Sequence, residues 1–177
     1  MQPTFDTSIA TVVEAEVDTV GDVYIRQVTL AVDCGLVVNP DTVVAQVEGG
    51  MIFGLTAALY GEITLEKGRV QQSNFHDYRM LRIDQVPKIN VHLVKSGEAP
   101  GGIGEASVVG GPPALRNAIY AATGVGLRGA FRGRQRDDRA RSALAHGCCL
   151  QKPTKPRRKV LGLCPIGRRG HGGPGCL

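Results

Sequence analysis

The sequence predicts an α+β fold in which antiparallel strands pack against two main helices, followed by a disordered basic tail. Three observations carry this. Ser8 to Val17 and Val23 to Val32 read as strands, the first rich in Val, Ala and Thr and alternating with acidic residues towards its end. Pro40 to Tyr60 places Val43, Val47, Met51, Gly54, Leu55 and Ala58 at steps of three and four, which marks the buried face of a helix. Ala114 to Ala122 forms a second helical run, stopped by Gly124.

Local chemistry fixes the ends of these elements. Val20-Gly21-Asp22 supplies the turn of a hairpin between the two strands. Asn39 offers an N-cap oxygen, Pro40 fits a first helical position that needs no N–H, and Asp41 sits well by the positive helix end. Further on, Ile63 to Leu65 and Arg69 to Gln72 read as short partners about the turn Lys67-Gly68, and Asn90 to Val94 as another strand. Between them, the stretch from Asn74-Phe75 to near Ile83 reads as irregular or briefly helical, and a loop spans Ser96 to Pro113.

The chain has 177 residues and is 42% apolar, enough for one packed core. Its net charge of +5 describes neither half. Met1 to Leu127 holds 8 Lys+Arg against 14 Asp+Glu, whereas Arg128 to Leu177 holds 13 against 2. The body is therefore mildly acidic, and basicity belongs to the tail. Residues 1–128 are read as the folded portion. Residues 129–177, dominated by Arg, Gly, Pro and Cys without apolar periodicity, are expected to be disordered, because they bury too little apolar surface to offset their ordering entropy. Their composition is that of a shifted reading frame in GC-rich DNA.

Cys34 is alone in the body, which argues against a disulfide framework. No stretch reads as a membrane span and no export signal is visible, so the cytoplasm is the expected compartment. An export signal on a missing part or a partner would place the protein in the periplasm instead.

Four features could carry chemistry. Pro100-Gly101-Gly102-Ile103-Gly104-Glu105 is a glycine-dense loop ending in a carboxylate, suited to close backbone approach and to presenting one side chain. Glu105 is either a solvated loop carboxylate or a general base on the wall of a buried site, where partial burial would help it hold a proton. Gln46 is either an exposed helix glutamine or an amide hydrogen-bonding a polar cofactor ring. Gly49-Gly50 marks either a helix crossing or a close-lying cofactor.

Cys34 reads as a small buried hydrophobe. His76 and His92 lack metal-ligand spacing, and the tail group His146, Cys148, Cys149, Cys164, His171 and Cys176 lacks a paired Cys-x-x-Cys arrangement, so no metal ligands are assigned. A noncatalytic alternative is a fragment or binding module whose basic tail contacts nucleic acid through phosphates. With Phe131 alone available for stacking, nucleic acid is the weaker reading.

The order of segments is itself informative: Ala31-Val32-Asp33-Cys34-Gly35, Val38-Asn39-Pro40-Asp41, Gln46-Val47-Glu48-Gly49-Gly50 with Gly54-Leu55, Gln72-Ser73-Asn74-Phe75 with Tyr78-Arg79, then Gly101-Gly102-Ile103-Gly104-Glu105. From residue 22 to about 127 the chain resembles the C-terminal part of the molybdopterin-binding large subunit of the xanthine dehydrogenase and aldehyde oxidase (molybdenum hydroxylase) family. Ser73-Asn74-Phe75 with Tyr78-Arg79 is most similar to the isoquinoline 1-oxidoreductase and bacterial aldehyde dehydrogenase beta-subunit branch.

The resemblance implies a fragment of a larger molybdopterin-binding domain, with Glu105 as the catalytic base and with Gln46 and Gly104 against the pterin. It implies water-derived hydroxylation of an N-heterocycle or oxidation of an aldehyde. The implied cofactors are molybdenum-molybdopterin, in a dinucleotide form, and [2Fe-2S] clusters on a partner subunit. The implied partners are an iron-sulfur small subunit and the missing N-terminal part of the large subunit. Family subunits are several times longer, and much of their pterin-binding surface lies upstream of anything in this chain.

Overall fold

The computed structural model describes residues 5–18, 21–127 and 158–166. Strands β1 (Ser8–Val17) and β2 (Val23–Asp33) lead into helix α1 (Pro40–Tyr60), a small ribbon of β3 (Leu65–Glu66) and β4 (Arg69–Val70), and a 3-10 turn at Ile83–Gln85. Strand β5 (Lys88–Leu93), helix α2 (Gly111–Thr123) and strand β6 (Arg158–Ile166) complete the order. The main sheet runs β5-β2-β1-β6.

β1 and β2 form the expected antiparallel hairpin, from Ser8 opposite Asp33 to Val17 opposite Val23, with a register shift between Glu14 and Ala15. The period of two is clean along β1: Ile9, Thr11, Val13, Ala15 and Val17 are buried. Glu16 lies on the other face, 2.8 Å from Arg26 of β2. Val28, Leu30 and Val32 of β2 join the same core.

Two expectations are corrected here. β5 pairs with β2 in parallel, Gln27 opposite Lys88 through Val32 opposite Leu93, so the sheet is mixed rather than antiparallel. The reason is connectivity: α1 and the segment after it form a crossover that returns the chain to the starting end of the sheet, as a parallel pair requires. Second, Arg158–Ile166, within the tail expected to be disordered, is a strand paired with β1; the rest of that tail lies outside the described residues.

α1 has the predicted bounds, and the Asn39 side chain accepts the Thr42 N–H at 3.2 Å as its N-cap. Val47, Met51, Gly54, Leu55, Thr56 and Leu59 are buried, with Val43 and Ala58 partly so. By length and composition alone α1 could cross a bilayer, contrary to the expectation that no stretch could. Its apolar side instead packs into the core with Val28, Leu30 and Val32 of the sheet. α2 begins at Gly111, three residues before the predicted start, because Pro112 and Pro113 fall in the first turn where a missing N–H costs nothing. Gly124, at φ 75°, ends it by donating its N–H to the Tyr120 carbonyl at 2.7 Å.

Leu55 is fully buried at the centre of this core. Leu55→Ala is expected to lower unfolding free energy by about 2–5 kcal/mol in urea titration, as the methylenes and the cavity both count. A change under about 0.5 kcal/mol would mean that α1 does not pack there as described.

Candidate functional site

The glycine loop is assembled from the end of β2. The Asp33 carboxylate accepts the Gly35 N–H at 3.1 Å and the Ser96 hydroxyl at 2.6 Å, tying the strand end to the loop start. Gly35 has φ 72°, and a Cβ there would run into the carbonyl of Ala99, so two backbones cross where no side chain fits. Leu36 donates its N–H to the Glu98 carbonyl at 3.2 Å, and Gly101 to the Cys34 carbonyl at 2.8 Å.

The same loop is stitched to the start of β1. The Gly102 N–H donates to the Phe5 carbonyl at 2.7 Å, and the Thr7 hydroxyl donates to the Gly102 carbonyl at 2.8 Å. A Cβ on Gly101 would stand 2.7 Å from Thr7 Oγ1, and one on Gly102 2.8 Å from Phe5 Cβ. These two glycines therefore serve packing within the protein. Gly104 differs, having no heavy atom within 4 Å of its Cβ direction.

Beyond Gly104 the chain turns onto α1. The Glu105 carbonyl accepts the Val108 N–H at 3.0 Å, and Ala106 and Ser107 are buried. A Cβ on Gly50 would meet Ser107 Oγ, and a Cβ on Gly54 would meet the Val108 carbonyl. Gly54 thus leaves a notch in α1 that receives the Val108 backbone, and Gly50, one turn earlier, makes room for the Ser107 and Val108 side chains. Gly49 faces open space, with nothing within 4 Å. Ser107 Oγ is buried with no hydrogen-bond partner among the described residues.

Gln46 lies one helical turn before Gly50 on the same stripe of α1, and Glu105 lies two residues before Ser107. The notch therefore brings the segments that carry the two predicted residues together, and both side chains are exposed. Among the described residues Glu105 lies on an exposed loop, which is the solvated one of the two local environments read for it. Cys34 is buried, and burial pushes its thiol up, in keeping with a packing role. His76 and His92 are exposed, and no group of three or more His, Cys, Asp or Glu among the described residues could hold a metal ion. Of the tail His and Cys residues, Cys164 alone lies within the described residues.

Sequence reasoning passed over Thr7, Ser96 and Ser107. Asp33 carried a signal, since an Asp two residues before a glycine is a usual Asx-turn pattern. Thr7 and Ser96 act across 95 and 63 residues of chain and had none. Ser73-Asn74-Phe75 with Tyr78-Arg79, within the stretch read as irregular or briefly helical, forms a capped turn. The Asp77 carboxylate accepts the N–H groups of Ser73 and Asn74 at 2.9 Å each and the Ser73 hydroxyl at 3.0 Å. The Arg79 guanidinium lies 4.3 Å over the Tyr60 ring, fastening the turn to the end of α1.

Residues 2–87 match the model of the molybdopterin cofactor-binding domain. The chain is 47% identical over 104 residues to the isoquinoline 1-oxidoreductase subunit beta of Brevundimonas diminuta, covering 59% of this chain and 13% of that one. It is 37% identical over 127 residues to the membrane-bound aldehyde dehydrogenase [pyrroloquinoline-quinone] of Gluconacetobacter polyoxogenes, covering 71% of this chain and 16% of that one. The aldehyde oxidoreductase from Desulfovibrio desulfuricans superposes with a TM-score of 0.60 at 21% identity, over 71% of this chain and 15% of that one, which shows the shared fold. The chain belongs to the molybdopterin-binding xanthine dehydrogenase and aldehyde oxidase family, whose members are molybdenum-dependent oxidoreductases. It spans about one seventh of the length of the relatives it matches.

Backbone hydrogen bonds from Asn74 and Ser73 hold the Asp77 carboxyl at about 2, below its ordinary 3.8. A depressed carboxylate stabilises the folded turn fully above the ordinary value, and that contribution is lost as pH falls through the folded value. A carboxyl-carbon NMR titration of Asp77 is expected to show a midpoint near 2, with the 73–77 turn loosening below it. A midpoint at 3.8 would show that the turn is not held by this carboxylate.

Proposed function

We propose that this chain is the C-terminal part of a molybdenum hydroxylase large subunit, in which Glu105 is the general base for water-derived hydroxylation of an N-heterocycle or oxidation of an aldehyde. The observation that carries the reading is the placement of an exposed Glu105, beside an unobstructed Gly104, on a loop seated against Gly54 and Gly50 of α1, the latter one turn from the exposed Gln46.

The residues present fit a bound molybdopterin. Gly49 and Gly104 leave their surroundings open, Gln46 offers an amide that can both donate and accept, and Ser107 Oγ has no hydrogen-bond partner among the described residues. Gln46 would hydrogen-bond the pterin and Gly104 would let it approach the backbone. When bound, molybdenum-molybdopterin, in a dinucleotide form, would supply the two-electron oxidation. Glu105 would take the proton from the water-derived oxygen as that oxygen bonds to the substrate carbon, and the rigid loop before it would keep the carboxylate in place.

The rest of the site would come from elsewhere. Leu36, Val38, Phe53, Phe75 and Ile83 are exposed large apolar residues, Val38 and Ile83 by 89% and 95%. So much uncovered apolar surface supports docking of the N-terminal part of the large subunit, which would also bury Glu105. Electrons would pass on to [2Fe-2S] clusters of an iron-sulfur small subunit.

Glu105→Gln, made in the complete assembly containing this segment, keeps the shape and removes the base. Molybdenum content is expected to stay at the parent level while kcat falls about 100-fold or more. Unchanged turnover in an assembly with full molybdenum content would end the proposed role of Glu105.

A further inference from the structure

We infer that the outer edge of β1 and the adjoining flank of α2 form a strand-accepting groove, filled in cis by the chain's own segment Arg158–Ile166. The matched domain supplies β1 and β2, since the molybdopterin-binding match covers residues 2–87, whereas β6 comes from outside it. Without β6, the sheet would end on β1, a ten-residue strand with five buried side chains and an unpaired row of backbone N–H and C=O groups. Such an edge is a template for any extended chain that meets it.

The fit of β6 is specific. It pairs antiparallel with β1 over nine residues, from Val17 opposite Arg158 to Ile9 opposite Ile166, with no break in register. At its midpoint Gly162 lies opposite Val13 and is buried beneath α2. A Cβ at residue 162 would run into the Ala114 carbonyl oxygen and the Ala118 amide nitrogen, both of them helix backbone that cannot rotate aside. The groove therefore demands glycine at that one register position.

The sequence of the segment also suits a strand with one neighbour. Arg158 and Lys159 put charge at one end, and Pro165, which cannot donate a ladder hydrogen bond, stands opposite Ala10. Val160, Leu161, Leu163 and Ile166 make the remainder apolar. The occupant is thus an extended, largely apolar peptide with glycine at its centre. This inference is independent of cofactor binding or turnover.

Hydrogen exchange of the full chain, read by mass spectrometry, tests it. Residues 158–166 and alternate amides of β1 are expected to be protected, independently of protein concentration. Gly162→Val should speed exchange in both segments by roughly tenfold or more while β2 and β5 stay protected. A synthetic peptide of residues 158–166 should restore β1 protection in that variant, and the same peptide carrying valine at 162 should not.

Exchange of 158–166 at the rate of an unstructured peptide in the full chain would overturn the inference, as would unchanged β1 exchange in Gly162→Val. Protection that grows with protein concentration, accompanied by a dimer in light scattering, would assign the segment of a second copy to the groove and overturn the cis arrangement.

Discussion

The contact on which the rest of the site depends is the seating of Ser107-Val108 on α1, with the Val108 backbone against Gly54 and the Ser107 and Val108 side chains against Gly50. Glycine inside a helix costs on the order of 1 kcal/mol relative to alanine, so the notch has an intrinsic penalty. It is offset by what the close approach allows. The turn after Glu105 is fixed, Ala106 and Ser107 are buried, and α2 starts four residues later at Gly111. At the other end, Asp33, Thr7 and the glycines of residues 101–102 hold the loop to the sheet. Glu105 and Gly104 are left as the unobstructed part of a segment pinned on both sides.

Much of the fold was legible because its determinants are local. β1 and α1 have the bounds that alternation, Asn39 and Pro40 predict, and Gly124 ends α2 as its left-handed cap requires. What the sequence withheld was nonlocal. The parallel pairing of β5 with β2 depends on a crossover of more than fifty residues, and no residue of Lys88–Leu93 announces its neighbour. β6 was hidden by its surroundings, since nine residues of strand character sit in Arg-, Gly- and Pro-rich chain and become ordered by pairing with β1.

For the candidate site, the sequence singled out Glu105, Gln46 and Gly104, which stand on segments that the seating of the loop on α1 brings together; Gly50 makes room for the Ser107 and Val108 side chains, whereas Gly49 faces open space. Glu105 is exposed, and its burial is not a property that its own loop sequence encodes, since burial is supplied by neighbours. Val38, Phe53, Phe75 and Ile83 are likewise exposed.

The notch is tested most directly by a pair of substitutions with opposite expected signs, compared by urea unfolding. Gly49→Ala, into open space, should stabilise the chain by up to about 1 kcal/mol through helix propensity. Gly54→Ala, into the Val108 carbonyl, should destabilise it by about 1–3 kcal/mol through forced displacement of the loop. If Gly54→Ala stabilised the chain as Gly49→Ala does, the loop would not rest on α1, and the positioning of Glu105 would need another cause.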